Sequence, residues 1–219
     1  MNKLSGHYQN KAKHVAIVIF IIVMGLGSNA NTMFQPKHNS SILKDSLLID
    51  KDGNKYKIKK FNDNNLWMTD NLKLNTAGSY CYGNLQSNCE QYGRLYTWES
   101  AKKGCALLGE GWRLPTNDEW KQLAAYVSGF PKDSLETRKK AFSALLKGGN
   151  SGFDAVLGGG RENNGEFRRL DAHGFYWTAT ESHTNTAWFS NFGKGSQSLY
   201  YQIAGEKPEA FAVRCVKKQ

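Results

Sequence analysis

The chain has 219 residues and carries 29 Lys and Arg against 19 Asp and Glu, a formal net charge of +10. That charge is scattered: Lys55, Lys57, Lys59 and Lys60 alternate along one stretch, Arg138, Lys139 and Lys140 share a second, and Lys217 and Lys218 lie at the end. A nucleic-acid surface needs its basic residues gathered on one face among stacking aromatics. That class is excluded, and the lysines are read as solvated surface, with attraction to anionic envelope polymers left open.

Residues 1–30 read as a secretory signal peptide. Lys3, Lys11 and Lys13 form its basic region, residues 15–24 are an unbroken apolar run, and Ser28-Asn29-Ala30 offers small residues for cleavage after Ala30. Gly25 and Gly27 interrupt the run before it reaches the roughly 20 apolar residues of a spanning helix, so no membrane span is expected after cleavage. No cysteine lies near the cleavage point to take a lipid. The mature protein is expected to be periplasmic, secreted or on the cell surface, and loss of the three lysines lowers its charge to +7. Residues 31–44 are polar, contain Pro36 and show no apolar periodicity, which describes a flexible leader.

The folded domain is expected over 45–219, one domain of about 175 residues without internal repeats. Leu47 to Ile58 has the form of a hairpin, with Asp52-Gly53 supplying the positive φ of a tight turn and Tyr56, Ile58 and Phe61 alternating with lysines. A first helix is expected over 97–108, where Trp98, Ala101, Cys105 and Leu108 recur at helical spacing. Thr116 followed by Glu119 is a capping box that starts a second helix near Asn117; Trp120, Leu123, Ala124 and Val127 line one face, and Gly129 stops it. A third segment, 134–146, reads as a peripheral helix. Beyond Gly148-Gly149 the chain turns rich in Gly, Asn and aromatics, with short strands between loops. The last strand, 210–216, alternates Phe211, Val213 and Cys215 with Ala212, Arg214 and Val216. It is expected to pair with the N-terminal hairpin. Trp67, Trp98, Trp112, Trp120, Trp177 and Trp188 are the expected core.

Several irregular stretches carry a resemblance: Trp67-Met68 with Asn71-Leu72, Tyr92-Gly-Arg-Leu-Tyr-Thr-Trp98, and Gly111-Trp-Arg-Leu-Pro-Thr-Asn-Asp-Glu-Trp120. Gly158-Gly-Gly-Arg161, Phe175-Tyr-Trp-Thr-Ala-Thr180 and Ala187-Trp-Phe189 follow in order. The block resembles the Fibrobacter succinogenes major paralogous domain, a bacterial extracellular family, over about 47–216. The resemblance implies an α+β, C-type lectin-like domain with two main helices, small antiparallel sheets, long loops and paired N- and C-terminal strands. Four cysteines in an oxidising compartment imply disulfides. Cys81 and Cys89 flank the polar loop Gly83-Asn-Leu-Gln-Ser-Asn88, which leaves Cys105 with Cys215, and the implied fold lays the first helix beside the last strand. Zinc is the competing reading, but the spacings lack paired C-x-x-C geometry.

Formylglycine-generating enzymes are distantly similar in fold and also carry Arg-Leu-Pro-Thr before a helix. Their oxidation needs a pair of reactive cysteines near the C-terminus, where this chain has only Cys215. No G-x-S-x-G elbow is present, and of the mature histidines, His38 lies in the leader while His173 and His183 read as surface residues rather than ligands, despite Asp171 and Glu181 nearby. The Glu-Pro-Asn and Trp-Asn-Asp elements of calcium-dependent lectins are absent, leaving Glu162, Glu166 and Asp171 as loop carboxylates for any different site. The expectation is therefore a secreted, non-enzymatic binding module without metal or cofactor, for a glycan or protein at the bacterial surface. Its alternatives are a formylglycine-generating-type or metal-dependent enzyme and a structural envelope component. Loops place variable contacts on such scaffolds, so Arg161, Asn163, Asn164, Glu181, Asn185, Tyr200 and Tyr201 are the expected contact residues, and the helical face is expected to be spent on packing.

Overall fold

The computed structural model describes residues 46–61 and 65–219; the expected signal peptide and leader lie outside the described residues. The domain is α+β. Its first half contains β1 (Ser46–Ile49), β2 (Lys55–Lys60), β3 (Asn65–Met68), β4 (Ser79–Tyr80), α1 (Gln86–Tyr92), β5 (Leu95–Tyr96), α2 (Trp98–Ala106), β6 (Trp112–Arg113), α3 (Asn117–Ser128) and α4 (Leu135–Leu145). Its second half contains β7 (Gly158–Arg161), β8 (Phe167–Leu170), β9 (His173–His183), β10 (Thr186–Gly193), β11 (Ser198–Glu206) and β12 (Val216–Lys218). One five-stranded sheet runs β1-β2-β3-β12-β6, a second β11-β10-β9-β7-β8, and β4 pairs with β5. Only the β7–β9 contact is parallel among the named strand pairs.

The expected hairpin forms, and Asp50 organises its turn. The carboxylate accepts from Asp52 N, Asn54 N, the Asn54 amide and the Tyr56 hydroxyl, an Asx arrangement that substitutes side-chain acceptors for strand bonds. The C-terminal strand does not pair with this hairpin, as the sequence suggests it should. It joins the same sheet one place further on, between β3 and β6.

The two expected helices stand where their signals place them. Thr116 Oγ1 accepts from Glu119 N and the Glu119 carboxylate accepts from Thr116 N, so two orphan amides of the first turn are satisfied reciprocally. The same carboxylate takes a bidentate pair from Arg113 and a bond from the Asn65 amide. Burial opposes its ionisation, but these donors outweigh it and hold the carboxyl below its ordinary value. Helix α4 is less peripheral than its charge suggests. Ala141, Phe142 and Leu145 are buried and pack beside α3 and β11, while the charged face stays outside. Helix α1 has no counterpart among the expected elements: only Cys89 of its seven residues is buried, so no apolar periodicity marks it.

Two aromatic cores lie on either side of the segment 210–216. Phe211, Val213 and Cys215 belong to the cluster around Trp98 and Trp177; Ala210, Ala212 and Val216 belong to the cluster around Trp67, Trp120 and Phe192. The alternation read from sequence is real, but the segment makes isolated bonds to many partners before becoming a strand at Val216. Phe211 exchanges bonds with Tyr96, Ala210 with Arg161, and Ala212 lies between Phe175 and Trp177. Further along, Val213 O accepts from Leu72 N and Cys215 O from Met68 N. Five of the six tryptophans are buried. Trp188 is only half-buried, contrary to the expected core.

Arg214 is buried to 1% exposure. Its guanidinium donates to Asn71 Oδ1 and to the carbonyls of Met68, Phe153 and Asp154, with the Phe153 ring 4.7 Å away. Burial drives its pKa below the ordinary value against Tyr176 and the charges of Asp70 and Asp154, while neutral oxygens accept its hydrogen bonds. Asn71 also donates to Tyr92 O. At Gly93, with φ 79°, an added Cβ would lie 2.5 Å from Asn71 Cβ. The Trp-Met-x-x-Asn-Leu and Tyr-Gly-Arg elements are thus two sides of one contact, closed from below by Arg214. Both expected disulfides are present, Cys81–Cys89 and Cys105–Cys215. The first spans a 3-10 turn, Tyr82–Asn84, and the start of α1 rather than a plain loop.

Candidate functional site

The second sheet presents a cavity of about 660 Å3 on the face away from α3 and α4. Alternate residues of antiparallel strands share a face, so the register that sets Trp177 against Phe189 and Phe175 against Asn191 turns those side chains together. Phe175, Phe189 and Phe211 form the floor, with ring centroids 4.8–5.8 Å apart. Gly160 borders it without a side chain: a Cβ there would meet Phe175 and Phe211 at 3.1 Å. Each floor ring is 5–8% exposed, which leaves ring edges rather than whole faces to a ligand.

The rim is charged. Arg161 ends β7 at the cavity's edge, but its guanidinium lies 4.3 Å from the Tyr80 ring and 5.9 Å from Phe167, rings packed against the Trp120 cluster on the other face. Aromatic faces hold the flat group in place through the cation–π attraction. Arg168 is engaged by Glu166 and lies 3.8 Å from Glu162. Arg169 adopts φ 66°, a left-handed conformation uncommon outside Gly, Asn and Asp, and its guanidinium lies 5.8 Å from the Phe175 ring centroid. Among the described residues, neither Arg161 nor Arg169 has a side-chain hydrogen bond or an ion pair. Glu209 completes the rim and accepts from Glu206 N at 2.9 Å. Burial pushes its carboxyl above the ordinary range, and the charges of Glu206 and Glu162 push the same way against the Glu206 amide and Arg169.

Of the seven expected contact residues, Arg161 and Tyr201 border this cavity. The Tyr201 side chain belongs to the other face, packed against the Trp120 cluster with Arg138 and Lys121 near its ring; burial raises its hydroxyl above the ordinary range. Tyr200 points to the cavity side but is half-buried opposite Asn191. Asn163 and Asn164 occupy the exposed β7–β8 turn, where Asn164 Oδ1 accepts from Glu166 N. Glu181 is paired with Lys207, and Asn185 sits in the β9–β10 turn, its carbonyl bound to Lys207 N. The seven therefore do not form one surface. What sequence reasoning missed is the floor, because nothing in the sequence sets Phe175, Phe189 and Phe211 apart from other strand aromatics, and Arg169 and Glu209, which no motif marks.

His173 and His183 begin and end β9, about 30 Å apart on an extended strand. His173 bonds Asn191 through Nδ1 and stacks on Phe175. Among the described residues no group of three or more His, Cys, Asp and Glu converges as metal ligands. The loop carboxylates are engaged elsewhere: Glu162 and Glu166 with Arg168, and Asp171 by the Tyr92 hydroxyl at 2.8 Å. No helix among the described residues is long and apolar enough to cross a membrane.

The molecule is thus a disulfide-tied α+β domain with a charged, aromatic-floored groove on one sheet. The model of the Fibrobacter succinogenes major domain matches residues 52–217, well over half of the chain, and the protein belongs to that family. No curated protein and no solved structure matches it.

Proposed function

We propose that the protein is an exported, non-enzymatic binding module whose ligand, a glycan at the bacterial surface, occupies the groove over Phe175, Phe189 and Phe211. The observation that carries this reading is the cavity itself, in which an apolar floor lies under convergent polar groups on a rigid sheet, the usual make-up of a small-ligand site. Sugars fit that combination, since C–H groups meet ring edges while hydroxyls meet guanidinium, amide and carboxyl groups. All four cysteines are in disulfides, so oxidase chemistry of the formylglycine-generating type would lack its thiolate. The sequence resemblance implies a C-type lectin-like architecture, in which α2 and α3 of the four helices would be the two main ones. Export through a cleaved signal ending at Ala30 fits the disulfides, and N-terminal sequencing of the exported protein tests it; a chain still beginning at Met1 refutes it.

A glycan array on the exported protein, run with and without EDTA, tests the binding reading. The expected result is a saccharide ligand retained in EDTA and lost on Gly160→Leu, which fills the groove above the floor. Absence of any saccharide ligand, or a ligand indifferent to Gly160→Leu in a folded variant, refutes it.

A further inference from the structure

We infer that the surface formed by the end of β2, the last turn of α3 and the outer face of α4 docks on an anionic phospholipid bilayer, with Tyr126, Phe130 and Leu135 entering the headgroup layer among lysines. This surface lies on the α3–α4 side of the molecule, away from the groove, and owes nothing to what the groove binds. Lys59-Lys60 and Lys139-Lys140 are far apart in sequence, but the fold gathers them at two adjoining hollows of about 350 and 530 Å3. Lys59 and Lys60 edge the first, Lys139 and Lys140 the second, and Val127 and Asn150 border both. All four lysines are exposed. Their charge is not cancelled locally. Residues 126–151 hold five Lys and Arg against two acids, and each acid is already paired, Asp133 with Arg138 at 2.7 Å and Glu136 with Lys140 at 3.5 Å. Lys60 and Lys139 have no ion pair or side-chain hydrogen bond among the described residues. Lys59 Nζ donates to a neutral acceptor, the carbonyl of Ser151.

Apolar side chains stand between these cations. Tyr126, Phe130 and Leu135 are 53%, 36% and 60% exposed, all within one helix–loop–helix corner. The Phe130 ring lies 4.4 Å from Lys140 Nζ. Tyr126 meets Phe61 with ring centroids 6.4 Å apart, and Lys59 Nζ lies 5.5 Å from the same Phe61 ring. A soluble polyanion would be met by charge alone and would leave these side chains in water. A bilayer surface supplies both partners, phosphate for the lysines and the acyl boundary for the rings and Leu135.

The test is flotation of the exported protein with vesicles of phosphatidylcholine, alone or mixed with phosphatidylglycerol, at pH 7 in about 0.15 M NaCl. Mixed vesicles should bind it, pure phosphatidylcholine should bind at least about tenfold more weakly, and added salt should weaken the mixed-vesicle binding. A lysine near an anionic surface contributes about a factor of five, so Lys59→Gln with Lys60→Gln, and Lys139→Gln with Lys140→Gln, should each weaken binding about tenfold or more. Phe130→Ser with Leu135→Ser should weaken it about fivefold or more through lost apolar contact. The same charge removed from α2, by Lys102→Gln with Lys103→Gln, should change it less than about threefold. Exposed positions shift stability little, so thermal midpoints should stay near the parent; if the Lys59 pair fails to fold without its Ser151 bond, Lys60→Gln alone replaces it, with about a fivefold loss expected. Contributions from elsewhere in the chain are common to parent and variants. Equal binding to both kinds of vesicle, or to neither, overturns the inference. So does binding that survives both lysine pairs, or that falls as far with the Lys102 pair and so follows net charge alone. Vesicle binding that is indifferent to the Phe130 and Leu135 changes but competed away by soluble polyphosphate also overturns it, and assigns the lysines to an anionic polymer.

Discussion

Replacing Cys105 and Cys215 together by Ala should destabilise the domain far more than replacing Cys81 and Cys89. The two bridges close segments of very different length, with sequence separations of 110 and 8. In the chain-entropy model a loop of a hundred residues gives about 4.7 kcal/mol, and the same relation gives about 2.6 kcal/mol for a loop near nine. Packing adds to the difference, because Cys105 and Cys215 are both fully buried in the Trp98 cluster, whereas the short bridge leaves Cys81 half-buried at the surface. Measured losses for native disulfides of about 2 to 5 kcal/mol bracket both values. Urea unfolding of the oxidised parent and the two double variants, compared by midpoint at equal slope, reads the difference. If the Cys81/Cys89 variant is as destabilised as the Cys105/Cys215 variant, loop closure is not what the long bridge contributes.

Glu119→Gln should cost about 1–3 kcal/mol at pH 7 through loss of charged bonds to Arg113 and Thr116 N. Because the Glu119 carboxyl is held below its unfolded value, its contribution is present above about pH 4.5 and is lost as pH falls through the folded value; thermal melts from pH 3 to 7 should show a shallower acid limb in the variant. Glu209 has the opposite sign: its carboxyl is raised, so stability is present below the unfolded value and is lost as pH rises through the folded one. Glu209→Gln should therefore leave the thermal midpoint at pH 7 unchanged or higher. Arg214→Met should cost about 3 kcal/mol or more, since a buried Asn71 oxygen and three carbonyls lose their donor, and Arg214→Lys should not rescue it because one ammonium cannot span the four acceptors; urea midpoints read both. Gly93→Ala should be severely destabilising in the same assay, because its Cβ collides with Asn71 and its φ suits glycine.

Local signals carried the helices and the hairpin. The Thr116–Glu119 capping box, the 3.6-residue recurrence of Trp98, Ala101 and Cys105, and the Asp52-Gly53 turn each act within a few residues, so they are readable without knowing what packs against them. Helix α1 escaped because its support is the short disulfide and not an apolar stripe. The sequence shows the alternation of 210–216 but not its strand partner, because alternation reports that two faces differ and not which strand lies alongside. The groove was least legible. Its floor rings come from β9, β10 and the 210–212 bridge, and a nearly buried phenylalanine whose edge reaches a cavity has the same sequence signature as one that does not. Polarity in loops singles out Asn163, Asn164 and Asn185, but it marks turns as readily as contacts, and Asn164 is spent on its own turn.

Residues 210–218 also set the order in which the domain can close. A chain that crosses a membrane or leaves a ribosome N-terminus first presents Trp67, Trp98 and Trp120 long before the segment that divides their two clusters has emerged. Neither cluster can close until residues 210–218 arrive, and Cys105 waits for Cys215 in the same stretch. A chain that stops before Cys215 would lose the long crosslink and the strand that unites β3 with β6 in a single stroke. The long bridge and the closed sheet are therefore acquired together, and a chain without residues 210–218 can have neither.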